Sequence, residues 1–83
     1  MIESIQKALK EGKLVIGTKA TLKGIRQGKV KEVFLASNTP ESVKEEMEVN
    51  AKIGEVKVSV LKQDNIALGA LCKKPFSIGV VSY

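Results

Sequence analysis

The chain has 83 residues, of which 43% are hydrophobic and 28% charged, a balance that supports one small globular domain over residues 1–83 and excludes a disordered tail. Fourteen Lys and Arg against nine Asp and Glu give a formal charge of +5. The complete absence of histidine removes His-paired nucleophiles and imidazole metal ligands, and a single cysteine allows neither an internal disulfide nor a cysteine metal cluster. These losses weigh against an enzyme and against a metal or other cofactor.

The first segment places Ile2, Ile5 and Leu9 at helical spacing, with Gly12 as a C-terminal stop. It holds no signal-peptide stretch, and no apolar run in the chain approaches a membrane span, so a cytoplasmic protein without membrane contact is expected. Leu14-Val15-Ile16 reads as a strand ending at Gly17, and Thr18 to Gln27 as a helix closed by Gly28. Val33-Phe34-Leu35-Ala36 is the second strand. In Asn38-Thr39-Pro40-Glu41, Thr39 is placed to cap the next helix, with Pro40 at its first position. Val43, Met47 and Ala51 give that helix an apolar stripe. Val56, Val58 and Val60 with Leu61 form a third strand, and Asp64 or Asn65 opens a short helix through Ile66, Leu68 and Leu71. That helix must end near Lys74, ahead of Pro75, and Ile78-Gly79-Val80-Val81 is the last strand. The order α-β-α-β-α-β-α-β with apolar strands predicts an α/β fold, a three-layer α/β/α sandwich around a four-stranded mixed sheet.

The charge is uneven. Residues 1–37 carry eight basic and three acidic side chains, hence the entire excess, whereas residues 38–83 are balanced. An acidic partner docking on one side explains the split, and nucleic acid is the commonest such partner; a solubilising surface explains it equally well.

Individual motifs sort quickly. Gly24 to Lys29 imitates a phosphate loop, but it has one residue too few between its glycines and closes a helix instead of opening one. Cys72 reads as a small core residue and Glu45, Glu46 and Glu48 as a solvated helix face. The strand-to-helix junction at Gly17, Thr18 and Lys19 is more informative, because free N–H groups and the helix dipole there attract anions. Lys19, Lys23 and Arg26 follow one another along one helix face, either as a ridge for a phosphate backbone or as an ordinary basic surface. Asn38 is either turn chemistry or a base-edge reader. Phe76, beside Lys74, either tucks under its loop or stacks beneath an unpaired base.

The segments GTKATLKGIRQGKVKEVFLASNTP and NIALGALCKKPFSIGVVS resemble the L-seven-Ae / L-thirty-e family of kink-turn RNA-binding proteins, most closely its L-thirty-e branch. The resemblance covers nearly the whole chain. It implies an α/β/α sandwich and, as ligand, the sharply bent RNA internal loop called a kink-turn. By position it implies that Gly17 lets the chain approach RNA and that Lys19 meets backbone or a base edge. Asn38 would then bond a base, Phe76 cover a splayed nucleotide and Lys23 contact phosphate. The L-seven-Ae branch carries Asn-Glu where this chain has Lys19-Ala20, and Ser77 replaces a basic residue common after the aromatic. The expectation is a non-catalytic RNA-binding protein of the large ribosomal subunit, monomeric when free, with ribosomal RNA as partner and ribosomal proteins as neighbours. The alternatives are a kink-turn protein of a guide-RNA, processing or mRNA-regulatory complex, or a protein-interaction module on the same fold.

Overall fold

The computed structural model describes residues 2–83, and the side chain of Ile2 lies outside the described residues. The elements are α1 (Ile2–Lys10), β1 (Val15–Ile16), α2 (Thr18–Arg26), β2 (Glu32–Leu35), α3 (Glu41–Ile53), β3 (Lys57–Val60), α4 (Asn65–Leu71) and β4 (Val80–Ser82). The alternation expected from the sequence is therefore present throughout. The sheet order is β1-β4-β2-β3: the last strand slots between the first two and runs antiparallel to both, while β2 and β3 are parallel. This is the four-stranded mixed sheet expected.

Alternation along the central strands builds the three layers. Phe34, Ala36 and Val81 point to one face, where Ile5 of α1, Leu68 of α4 and Cys72 just after α4 cover them. Val33, Leu35 and Val80 point to the other, under Ile25 of α2 and Met47 of α3. The central strands β2 and β4 are buried almost throughout, and the edge strands β1 and β3 are only partly so. Val60 stands at the end of edge strand β3 and is 45% exposed. Ile66 is 71% exposed, on the opposite side of α4 from the buried Leu68.

The helix ends follow local chemistry. Gly28 takes a φ of 69° just after α2, the left-handed conformation expected of it. Asp64 caps α4, its carboxylate accepting from the Ala67 N–H at 2.8 Å. Thr39 corrects the sequence reading: α3 starts at Glu41 after Pro40, with no side-chain cap, and the Thr39 hydroxyl donates instead to the Gly79 carbonyl at 3.2 Å. A long-range acceptor wins over the local cap.

One buried polar contact ties α2 to the sheet. Thr21 and Ser82 are fully buried, with their hydroxyls 3.0 Å apart. Burial pushes the Cys72 thiol above its ordinary value, against a smaller opposing effect of the Lys74 ammonium. Thr21→Val strands the Ser82 hydroxyl and is expected to cost about 1–3 kcal/mol in urea unfolding, part of which returns in Thr21→Val with Ser82→Ala. For Cys72, a disulfide reagent at neutral pH should label the native protein roughly a hundredfold more slowly than the urea-unfolded chain.

Candidate functional site

Because β4 runs against both neighbours, the ends of β1 and β2 and the start of β4 lie at one edge of the sheet. Three loops therefore converge there. The Gly17 N–H donates to the Val80 carbonyl at 2.9 Å, and the Ala36 N–H to the Gly79 carbonyl at 2.9 Å. The same Gly79 oxygen accepts the Thr39 hydroxyl. The β1–α2 junction, the β2–α3 turn and the loop before β4 are thus locked around a few atoms.

Gly17 precedes α2 with φ 109° and ψ 157°, a conformation that suits glycine alone. It offers no side-chain cap, so the first N–H groups of α2 face outward with the positive end of the helix dipole. Gly17, Thr18, Lys74 and Phe76 border one open hollow of about 440 Å³. Lys19 is exposed in the first turn of α2. Lys23 follows about 6 Å along the axis and Arg26 about 10 Å along it, by the rise of an α-helix. Arg26 therefore stands at the far end of α2, apart from the group that the sequence reading joined it to.

Phe76 is 56% exposed, so it does not tuck under its loop. The loop backbone beneath it is pinned. Lys73 turns the chain off α4 with a φ of 59°, and the Lys74 N–H donates to the Gly69 carbonyl at 3.0 Å. The Ile78 N–H reaches the Asn65 carbonyl at 2.9 Å. A Cβ on Gly69 would collide with the Phe76 carbonyl oxygen, so only glycine lets the loop lie this close to α4. An apolar ring held out in water on a fixed backbone is a platform for stacking.

Asn38 is exposed and does not close a local turn with its side chain. Its Nδ2 donates to Asn65 Oδ1 at 2.9 Å, and its Oδ1 accepts the Asn65 backbone N–H at 2.9 Å. Each amide keeps hydrogen-bonding capacity toward solvent, and the pairing fixes both planes. Asn65 is the residue that sequence reasoning missed, having seen it only as a rival to Asp64 for the helix start. Its partner is 27 positions away, which no local pattern reports.

An open helix terminus with two lysines, a fixed amide pair and an exposed ring on one edge can accept a phosphate, read a base edge and stack a base. This is the chemistry that a nucleic-acid-binding surface on an α/β/α domain requires. Residues 1–83 match the model of the Ribosomal protein L7Ae/L30e/S12e/Gadd45 family, and the chain belongs to that family. Among its relatives is the large ribosomal subunit protein eL30 of Methanothermobacter thermautotrophicus, 38% identical over 93% of this chain and 79% of its own. The eL30 of Archaeoglobus fulgidus is 44% identical over 94% of this chain and 86% of its own. The fold matches that of a 15.5 kD RNA binding protein from Giardia lamblia with a TM-score of 0.88, at 18% identity over 98% of this chain and 68% of that one.

Gly69→Ala is expected to destabilise the fold by about 1–3 kcal/mol, as overpacking does, and to move the amide NMR signals of residues 74–77 more than those of α2. Unshifted loop signals would show that the close approach does not position Phe76.

Proposed function

We propose that residues 1–83 act as one non-catalytic RNA-binding domain of the large ribosomal subunit, recognising a kink-turn with the loop edge at the start of β4. The observation that carries the reading is Phe76, exposed on a clamped loop and bordering the same hollow as the open start of α2. In this arrangement Gly17 lets a phosphate approach the Thr18 and Lys19 backbone, and the Lys19, Lys23 and Lys74 ammonium groups neutralise its neighbours. Asn38, oriented by Asn65, bonds a base edge, and Phe76 covers a nucleotide turned out of the stack. Arg26 contributes general attraction from further along α2. Binding favours the bent RNA over the extended one and so shifts a population without chemistry.

The relatives named as large ribosomal subunit proteins support the ribosomal setting, with ribosomal RNA as the ligand and other ribosomal proteins as neighbours. The free protein is taken to be a monomer, and the bound one a ribosome-associated cytoplasmic protein. No cofactor enters this reading, and among the described residues no acidic and thiol cluster forms a metal site.

The test is a titration of an end-labelled kink-turn RNA, with a straight duplex as control, in buffer without magnesium. Compaction of the kinked RNA alone, read by energy transfer, is the expected result. With about four phosphates neutralised, log affinity should fall with log salt at a slope near −3. Phe76→Ala should weaken binding by roughly tenfold to a hundredfold with that slope unchanged, since a base stack is worth about 1–3 kcal/mol. Equal binding to both RNAs, or a Phe76→Ala variant that binds normally, would overturn the reading.

A further inference from the structure

A second hollow lies at the opposite end of β4. Gly79 and Tyr83 bracket that strand, about 13 Å apart by the rise of an extended chain. At the Tyr83 end a recess of about 580 Å³ opens between α1, the segment before β1 and the segment before β2. Its floor includes Ala8, Val15 and Tyr83, and its rim carries Lys7, Lys13, Lys29 and Lys31 with Glu11 as the one acidic residue. Lys29 and Lys31 flank the buried Val30, so both extend outward from the same short segment. Glu32, next to Lys31, accepts the Tyr83 phenol at 3.1 Å and the Ser59 hydroxyl at 3.2 Å.

This placement divides the basic half of the chain in two. Of its eight cations, four line this recess, whereas the surface around Phe76 draws on Lys19 and Lys23. The charge concentrated in residues 1–37 thus exceeds what one RNA surface uses. We infer that the Tyr83 end is a second polyanion surface, which grips the phosphate backbone of an RNA segment other than the one at Phe76. The identity of the polyanion rests on the RNA reading above; the lysine cluster does not.

The composition of this end favours RNA backbone over an acidic protein segment. Protein interfaces place apolar and aromatic anchors at their centre. Among the described residues, the exposed large hydrophobic ones, Val49, Ile53, Val60, Ile66 and Phe76, sit on α3, β3, α4 and the loop before β4. The Tyr83 ring is committed to stacking on Phe34, with centroids 5.7 Å apart and planes 6° from parallel. What remains for a ligand is a ring of flexible point charges, which suits sequence-independent phosphate contact. A protein with cations at both ends of its central strand can hold two RNA segments about one domain apart.

The experiment saturates the full chain with unlabelled kink-turn RNA and then titrates a short fluorescent blunt RNA duplex. The wild type should form a ternary complex. Lys29→Glu with Lys31→Glu should weaken duplex binding roughly tenfold or more and lower its salt slope by about 2, with kink-turn affinity changed by less than about threefold. Lys44→Glu with Lys52→Glu makes the same change in net charge on α3 and should leave the ternary complex intact. No ternary complex from wild type, or equal loss in both variants, overturns the inference. Tighter binding of an acidic peptide than of the duplex overturns it in favour of a protein partner. Should the kink-turn RNA itself not bind, the first reading fails alone, and the same two variants titrated with duplex only still decide this one.

Discussion

The insertion of β4 between β1 and β2 is the constraint on which the rest of the molecule depends. It supplies Val80 and Val81 to the two opposite core layers, so a single strand joins both halves of the hydrophobic interior. It also brings two loop edges, far apart in sequence, against the loop that carries Phe76. The Gly79 carbonyl, accepting from the Ala36 N–H and the Thr39 hydroxyl, fixes that convergence. Without β4 in place, Gly17, Asn38 and Phe76 would have no reason to share a surface.

Around that strand, polar groups are satisfied in a way that leaves the functional edge rigid. The buried Thr21–Ser82 pair holds α2 to β4, which sets where the helix start emerges. On the opposite side, the close approach at Gly69 sets the height of the loop before β4. Two contacts in different layers therefore position the cationic helix terminus and the aromatic ring relative to each other. Such pre-ordering lowers the entropy that RNA binding must overcome.

Much of this was legible in the sequence because it is written in local chemistry. Helical and strand periodicities mark all eight elements, and Gly28, Asp64 and Pro75 mark their ends. Sites built from local geometry were also visible, above all the Gly17 junction. What the sequence did not disclose is long-range. Thr39 looks like a helix cap until β4 offers it the Gly79 carbonyl, and Asn38 looks like turn chemistry until Asn65 comes alongside. Val60 and Ile66 are apolar, yet the end of an edge strand and the outer side of α4 leave them exposed. Arg26 belongs to the same helix face as Lys19, but helix length carries it away from the site. Phe76 is the converse case: its residues alone left tucking and stacking open, the family resemblance favoured exposure, and the ring is exposed on a backbone packed against Gly69.

Tyr83 has a consequence of a different kind. The chain contains one tyrosine and no tryptophan, so a single phenol dominates its near-ultraviolet absorption and emission. That phenol is stacked on Phe34 and hydrogen-bonded to a carboxylate, at the end of β4 remote from Phe76. The molecule therefore carries its own optical label, sensitive to the integrity of the sheet and to occupancy of the recess beside it, and blind to a nucleotide seated across the domain.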